Sequence, residues 1–136
     1  MKARLGVLVA GLGLVLSAVP VFAHHSFAAE YDANKPVTLK GTVTKIEWTN
    51  PHARFYVDVK DEKGTVINWN LELASPNVLV RNGWSRKSLK PGDEVTVQGS
   101  LAKDGSKMAN ARAVVLTDGR KVFAGSSGGD GGPQSQ

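Results

Sequence analysis

Residues 35–48 read Lys-Pro-Val-Thr-Leu-Lys-Gly-Thr-Val-Thr-Lys-Ile-Glu-Trp. Val37, Leu39, Gly41 and Val43 fall on one side of an extended chain, and Thr38, Lys40, Thr42 and Thr44 on the other. That alternation is the mark of a half-buried strand. Past Val43 the alternation slips, because Ile46 and Trp48 carry the parity of the threonines. A bulge or sharp bend between Gly41 and Lys45 accounts for the switch. A long, bent first strand suits a small barrel.

Downstream, β-branched and aromatic residues recur in short runs separated by turn residues. Thr49-Asn50-Pro51 is a turn. A second strand is expected over His52 to Lys60, with Phe55, Val57 and Val59 inward and His52, Arg54, Tyr56 and Asp58 outward. Asp61-Glu62-Lys63-Gly64 makes a hairpin loop. A third strand follows over Thr65 to Leu73, burying Ile67, Trp69, Leu71 and Leu73 and exposing Asn68, Asn70 and Glu72. Then the period changes. Ser75-Pro76 is an N-cap followed by Pro at the first helical position, and Asn82-Gly83 supplies the stop, so a helix of about two turns is expected here. Lys90-Pro91-Gly92-Asp93 is a tight turn. A fourth strand over Glu94 to Leu101 points Val95 and Val97 inward. A fifth over Ala109 to Thr117 has alternating Ala111, Ala113 and Val115, and a short sixth ends near Phe123. Three strands, a short helix and two or three more strands is the element order of an OB-fold. The expectation is therefore an all-β domain with one short helix, a small OB-like closed or partly closed barrel. The alternative is a small open β-sandwich with the helix across one end.

Upstream of the strands, Lys2 and Arg4 precede an apolar run from Leu5 to Val19, Pro20 breaks the run, and Val21-Phe22-Ala23 offers a cleavage site. This is the layout of a secretory signal peptide, and a periplasmic location is expected. The division is then a signal peptide over 1–23, an extended N-terminal segment over 24–36, the barrel over 37–124 and a Gly/Ser-rich flexible tail over 125–136. Removing Lys2 and Arg4 from a chain of formal charge +5 leaves 15 basic residues against 12 acidic ones, or +3. The basic residues are interleaved with acidic ones and form no stripe with aromatics between them. Neither nucleic acid nor, after cleavage, a membrane is therefore expected as a partner. The chain holds no Cys, which excludes disulfides, thiolate metal sites, a Cys nucleophile and a lipoprotein anchor.

The three histidines are His24, His25 and His52. Cleavage after Ala23 makes His24 the first residue, so its α-amine and imidazole can chelate one ion together. A further imidazole from His25 or His52 would complete a nitrogen-rich site. Such ligands favour Cu(II), with Ni(II) and Zn(II) behind it. The competing reading leaves the two terminal histidines solvated and idle. His52 lies outward with Tyr56, opposite Asn70 on the neighbouring strand, and Trp48 is placed beside them by its parity. These residues make a candidate recognition face for a small molecule, glycan or protein without metal. Arg54, Asp58 and Asn68 read more simply as solvated cross-strand polar residues. No catalytic residues are assigned. Ser75, Ser85 and Ser88 lack a nucleophile elbow, and the pairs Asp61-Glu62 and Asp93-Glu94 sit in turns. The expectation is an exported binding domain, not an enzyme.

The segments His24-His25-Ser26-Phe27-Ala28, Glu47-Trp48-Thr49-Asn50-Pro51-His52, Ser75-Pro76-Asn77 with Gly83-Trp84, and Lys90-Pro91-Gly92-Asp93-Glu94-Val95 resemble a family of small exported proteins. That family is found mainly in Gram-negative bacteria and is catalogued as a domain of unknown function. The resemblance implies export, a compact β domain and no assigned activity. Arg54 stands close behind Asn-Pro-His, where members of that family often carry an aromatic residue.

Overall fold

A computed structural model describes residues 27–125 of the chain. The element order is α1 (Phe27–Glu30), β1 (Tyr31–Glu47), β2 (Arg54–Lys60), β3 (Val66–Glu72), α2 (Pro76–Arg81), β4 (Glu94–Ala102), β5 (Met108–Val115) and β6 (Lys121–Phe123). The signal segment, His24, His25 and residues 126–136 of the expected tail lie outside the described residues.

The 17-residue β1 organises the sheet. Its first part pairs with β4, from Tyr31↔Ala102 to Thr42↔Glu94, and its last part pairs with β2, from Thr42↔Asp58 to Glu47↔Arg54. The strands lie in the order β3-β2-β1-β4-β5-β6, and an additional pairing of β3 with β5 turns the sheet back on itself. That pairing is parallel and spans Asn70↔Met108, Leu71↔Ala109 and Glu72↔Asn110. A ring of five strands, with a helix between the third and fourth, is the OB topology. Its closing contact is short, so the barrel is partly closed. The hydrogen-bonded return from β3 to β5 sets the open sandwich aside.

The expected irregularity in the first strand falls between Val43 and Lys45, where Thr44 is the extra residue. It turns Ile46 toward the same side as its partner Phe55, which is fully buried. Trp48 follows Ile46 in parity and packs against the core. A second irregularity was not apparent from the sequence. Gln98 pairs with Ala113 and Gly99 with Ala111, which leaves Arg112 as an extra residue in β5. Beyond it the faces exchange, so Val114 and Leu116 are buried while Val115 is only half-buried. The expected alternation of Ala111, Ala113 and Val115 on one face therefore breaks at Arg112. The first strand also begins earlier than expected, at Tyr31, and a short second helix, α1, precedes it where extended chain was expected.

The helix α2 forms as its caps dictate. Ser75 Oγ accepts from the Val78 amide, Asn82 is the C-cap, and Gly83 takes φ +89°. Leu79 is fully buried, and Trp84 Nε1 donates to the Phe123 carbonyl at 2.7 Å.

Two glycines permit the tight coiling of the barrel. A Cβ on Gly41 would lie 2.1 Å from the Asp58 carbonyl oxygen, and one on Gly99 would lie 2.1 Å from that of Asn110. In both cases a side chain meets backbone, which cannot rotate aside. Gly41→Val and Gly99→Val are each expected to cost about 3 kcal/mol or more, the upper end for overpacking. Gly64 has positive φ but open space around it, so Gly64→Ala should cost only about 1–2 kcal/mol of left-handed strain. Urea unfolding of the three variants separates the two mechanisms.

Candidate functional site

The outer face of β2 and β3 is set by their register, which pairs Arg54 with Glu72, Tyr56 with Asn70 and Asp58 with Asn68. Asn68 Nδ2 donates to Asp58 Oδ1 at 2.7 Å, a simple cross-strand polar pair. The Lys45 ammonium sits 5.4 Å from the centre of the Tyr56 ring. Arg54 Nη1 donates to Asn70 Oδ1 at 3.2 Å. The fold thus brings Tyr56 and Asn70 side by side. It does not bring Trp48 to them, because the bulge at Thr44 has turned Trp48 to the core.

His52 stands at the entrance to β2. Its Nδ1 lies 3.1 Å from the Leu73 carbonyl oxygen and 3.6 Å from Glu72 Oε1. A carbonyl oxygen only accepts, so Nδ1 carries the proton. Nε2 is then the ring nitrogen left to accept a bond. The His52 side chain is 26% exposed.

Beside His52 lies a cluster that sequence reasoning missed. Glu72 points outward from β3, yet it is only 6% exposed. Its Oε2 accepts from Arg54 Nη2 at 2.6 Å and from the Tyr31 hydroxyl at 3.0 Å. Its Oε1 accepts from Asn110 Nδ2 at 3.5 Å. Tyr31 is the lid of this cluster, 2% exposed at the start of β1, with the Phe27 ring tilted against it at 5.8 Å. An acidic residue alternating with Asn68 and Asn70 reads as solvated from sequence. The one usable signal was Arg54 across the hairpin from Glu72. Tyr31 lies 41 residues from Glu72, and no local pattern joins them. Arg54, read as solvated, is in fact half-buried and ion-paired with the buried Glu72 carboxylate.

Among the described residues, no group of three or more His, Cys, Asp or Glu stands in a metal-holding arrangement. His52 is the described member of the expected nitrogen set. His24 and His25 lie outside the described residues, but His24 precedes Phe27 by only three positions. Phe27 rests on Tyr31, Tyr31 on Glu72, and Glu72 faces His52. The start of the described chain is therefore on the His52 side of the barrel.

Burial, followed by the charge and hydrogen bond of Glu72, holds the Tyr31 phenol well above its ordinary value. The folded protein thus keeps a proton that the unfolded chain releases near pH 10. The stabilisation is complete below that pH and declines as the pH rises through it. Tyr31→Phe should flatten the alkaline limb of the stability curve between about pH 9 and 11. Parallel limbs for the two proteins in urea melts would count against this.

No curated protein is similar to the chain. Among solved structures, the mitochondrial single-stranded DNA binding protein Rim1 of S. cerevisiae aligns over 60% of this chain and 92% of its own, at 10% identity and a TM-score of 0.47. A likeness that distant says nothing about shared partners. The profile of DUF6152, a family of unknown function, matches residues 11–111, well over half of the sequence, and the chain belongs to that family.

Proposed function

We propose that this protein is an exported binding domain that holds a Cu(II)-like ion between its processed amino terminus and His52. The observation that carries this reading is the contact of His52 Nδ1 with the Leu73 carbonyl. Nδ1 is committed to the Leu73 carbonyl at 3.1 Å and faces the Glu72 carboxylate at 3.6 Å. Metal-ligating imidazoles have this arrangement: one nitrogen donates to a carbonyl or carboxylate, and the other is oriented and free to bind. Cleavage after Ala23 would add the α-amine and imidazole of His24. An α-amine loses its proton near pH 8 in free form, so a metal displaces that proton readily at neutral pH.

A metal-free reading has its own observation. Tyr56 and Asn70 are directly opposed on β2 and β3. A face built on them suits recognition of a small molecule, glycan or protein through ring stacking and amide hydrogen bonds.

The two readings diverge in one experiment. Intact mass spectrometry of the exported protein, with and without added copper, should show a chain beginning at His24 and taking up one copper. His24→Ala and His52→Ala should each weaken uptake at least ten-fold. Unchanged uptake in both variants would overturn the metal reading. Loss of partner capture in Tyr56→Ala with copper binding intact would favour the other.

A further inference from the structure

We propose that Asn82-Gly83 is a self-modification site: Asn82 loses its side-chain amide to attack by the Gly83 nitrogen during openings of the last turn of α2, and the product unseats Trp84 from the end of the barrel. This is the one Asn-Gly pair in the chain. Glycine has no Cβ, so its nitrogen meets little hindrance on approach to a neighbouring carbonyl carbon. In the reaction the Gly83 nitrogen bonds to Asn82 Cγ and the Cγ–Nδ2 bond breaks. Nδ2 departs as ammonia, taking up the proton that the Gly83 nitrogen gives away. One water then opens the resulting cyclic imide. Opening at Cγ leaves aspartate. Opening at the main-chain carbonyl leaves isoaspartate, whose backbone runs through the side chain. No oxidant, reductant or further reactant is needed.

The closed helix holds the reacting groups apart. The Gly83 amide donates to the Val80 carbonyl at 3.1 Å, and Asn82 Nδ2 donates to the Val78 carbonyl at 2.8 Å. Both bonds must break before the imide can form. The turn that holds them is lightly anchored. Asn82 and Gly83 are exposed, Val80 is 57% exposed, and Leu79 is the buried residue of α2. Segments with so few buried contacts open locally, without global unfolding. What depends on this turn is buried. The Trp84 amide donates to the Leu79 carbonyl at 3.0 Å, and the buried indole donates to the Phe123 carbonyl. The next carbonyl, of Ala124, accepts from the Ala74 amide at 2.9 Å and ties the end of β6 to the chain leaving β3. A carboxylate at position 82 cannot donate to Val78. Its charge also lies at the C-terminal end of the helix, where the macrodipole disfavours it. Isoaspartate lengthens the backbone just ahead of Gly83 and so displaces Trp84. The conversion does not reverse, so the α2–β6 end loosens as the protein ages.

The test incubates the whole protein at mildly alkaline pH and follows Asn82 by peptide mapping, with isoaspartate counted by enzymatic methylation. The same chain unfolded in urea is the reference. Conversion should proceed in the folded protein, at least about ten-fold more slowly than in the reference, because the groups meet only in the open fraction. Urea below the unfolding transition should leave that rate nearly unchanged, since a local opening exposes little surface. Asn82→Asp fixes one product in place. In this variant the amides of Ala74, Trp84 and Ala124 should exchange with solvent faster than in the native chain, while those of β1 and β4 stay protected. Aged wild-type protein, separated from unmodified chain by its extra negative charge, should show the same pattern, so the reading does not depend on how well the variant folds. A folded chain that stays unmodified while the reference converts would overturn the proposal. So would a conversion rate that climbs with urea as steeply as global unfolding, or native exchange at those three amides in the aged, modified protein.

Discussion

A carboxylate withdrawn from water must be met by donors, or the fold that withdraws it does not persist. Taking an ion out of water costs several kcal/mol even in a relaxed protein interior. Glu72 is met by Arg54 from β2, Tyr31 from the start of β1 and Asn110 from β5, with His52 alongside. Arg54 reaches Glu72 within the hairpin, but Tyr31 and Asn110 reach it only when the barrel has closed. Glu72 and Asn110 are direct partners in the parallel ladder that closes it. A one-residue slip there would send Glu72 into the apolar interior, because side chains alternate between faces. The cluster therefore penalises every register but one. Breaking such a pair by removing one partner typically costs about 3–5 kcal/mol, whereas replacing the whole group by apolar residues is often neutral. Stability alone does not call for charge at this seam, which directs attention to what else the charge holds in place.

Most of the barrel was readable from residue order because its signals are local. The slip in alternation after Val43 located the bulge. Ser75-Pro76 and Asn82-Gly83 marked the helix through its caps. The second bulge was hidden because β5 is rich in Ala. Ala109, Ala111 and Ala113 alternate smoothly across Arg112, and a small apolar residue reads equally well on either face. The exchange of faces shows only in the pairing with β4, where Gly99 leaves room for the chain to coil.

The candidate site was legible only in part, for a related reason. His52, Tyr56 and Asn70 lie on strands whose pairing follows from one hairpin, so their proximity could be read directly. Glu72 lies on the same hairpin but its burial does not follow from it. Burial comes from Tyr31, which is laid over the seam by a segment that pairs with β4 instead. Outward parity means solvent exposure only where nothing further covers the sheet. Here a covering residue arrives from outside the hairpin, and it turns an apparently solvated acid into the centre of the site.

That arrangement also separates what a terminal histidine can do from what the barrel adds. Any exposed amino-terminal His offers an amine and an imidazole, and the order of metal affinities favours copper at such ligands whatever the protein. Affinity of that kind is generic, and selectivity comes from geometry. His52 Nδ1 is held at 3.1 Å from the Leu73 carbonyl and faced by the buried Glu72 carboxylate. The barrel's contribution to the proposed site is an imidazole already held in one orientation. The proposed site would depend on removal of the leader for its amine and on closure of the barrel for its geometry, so under that proposal only protein both cleaved and folded would present the complete set of ligands.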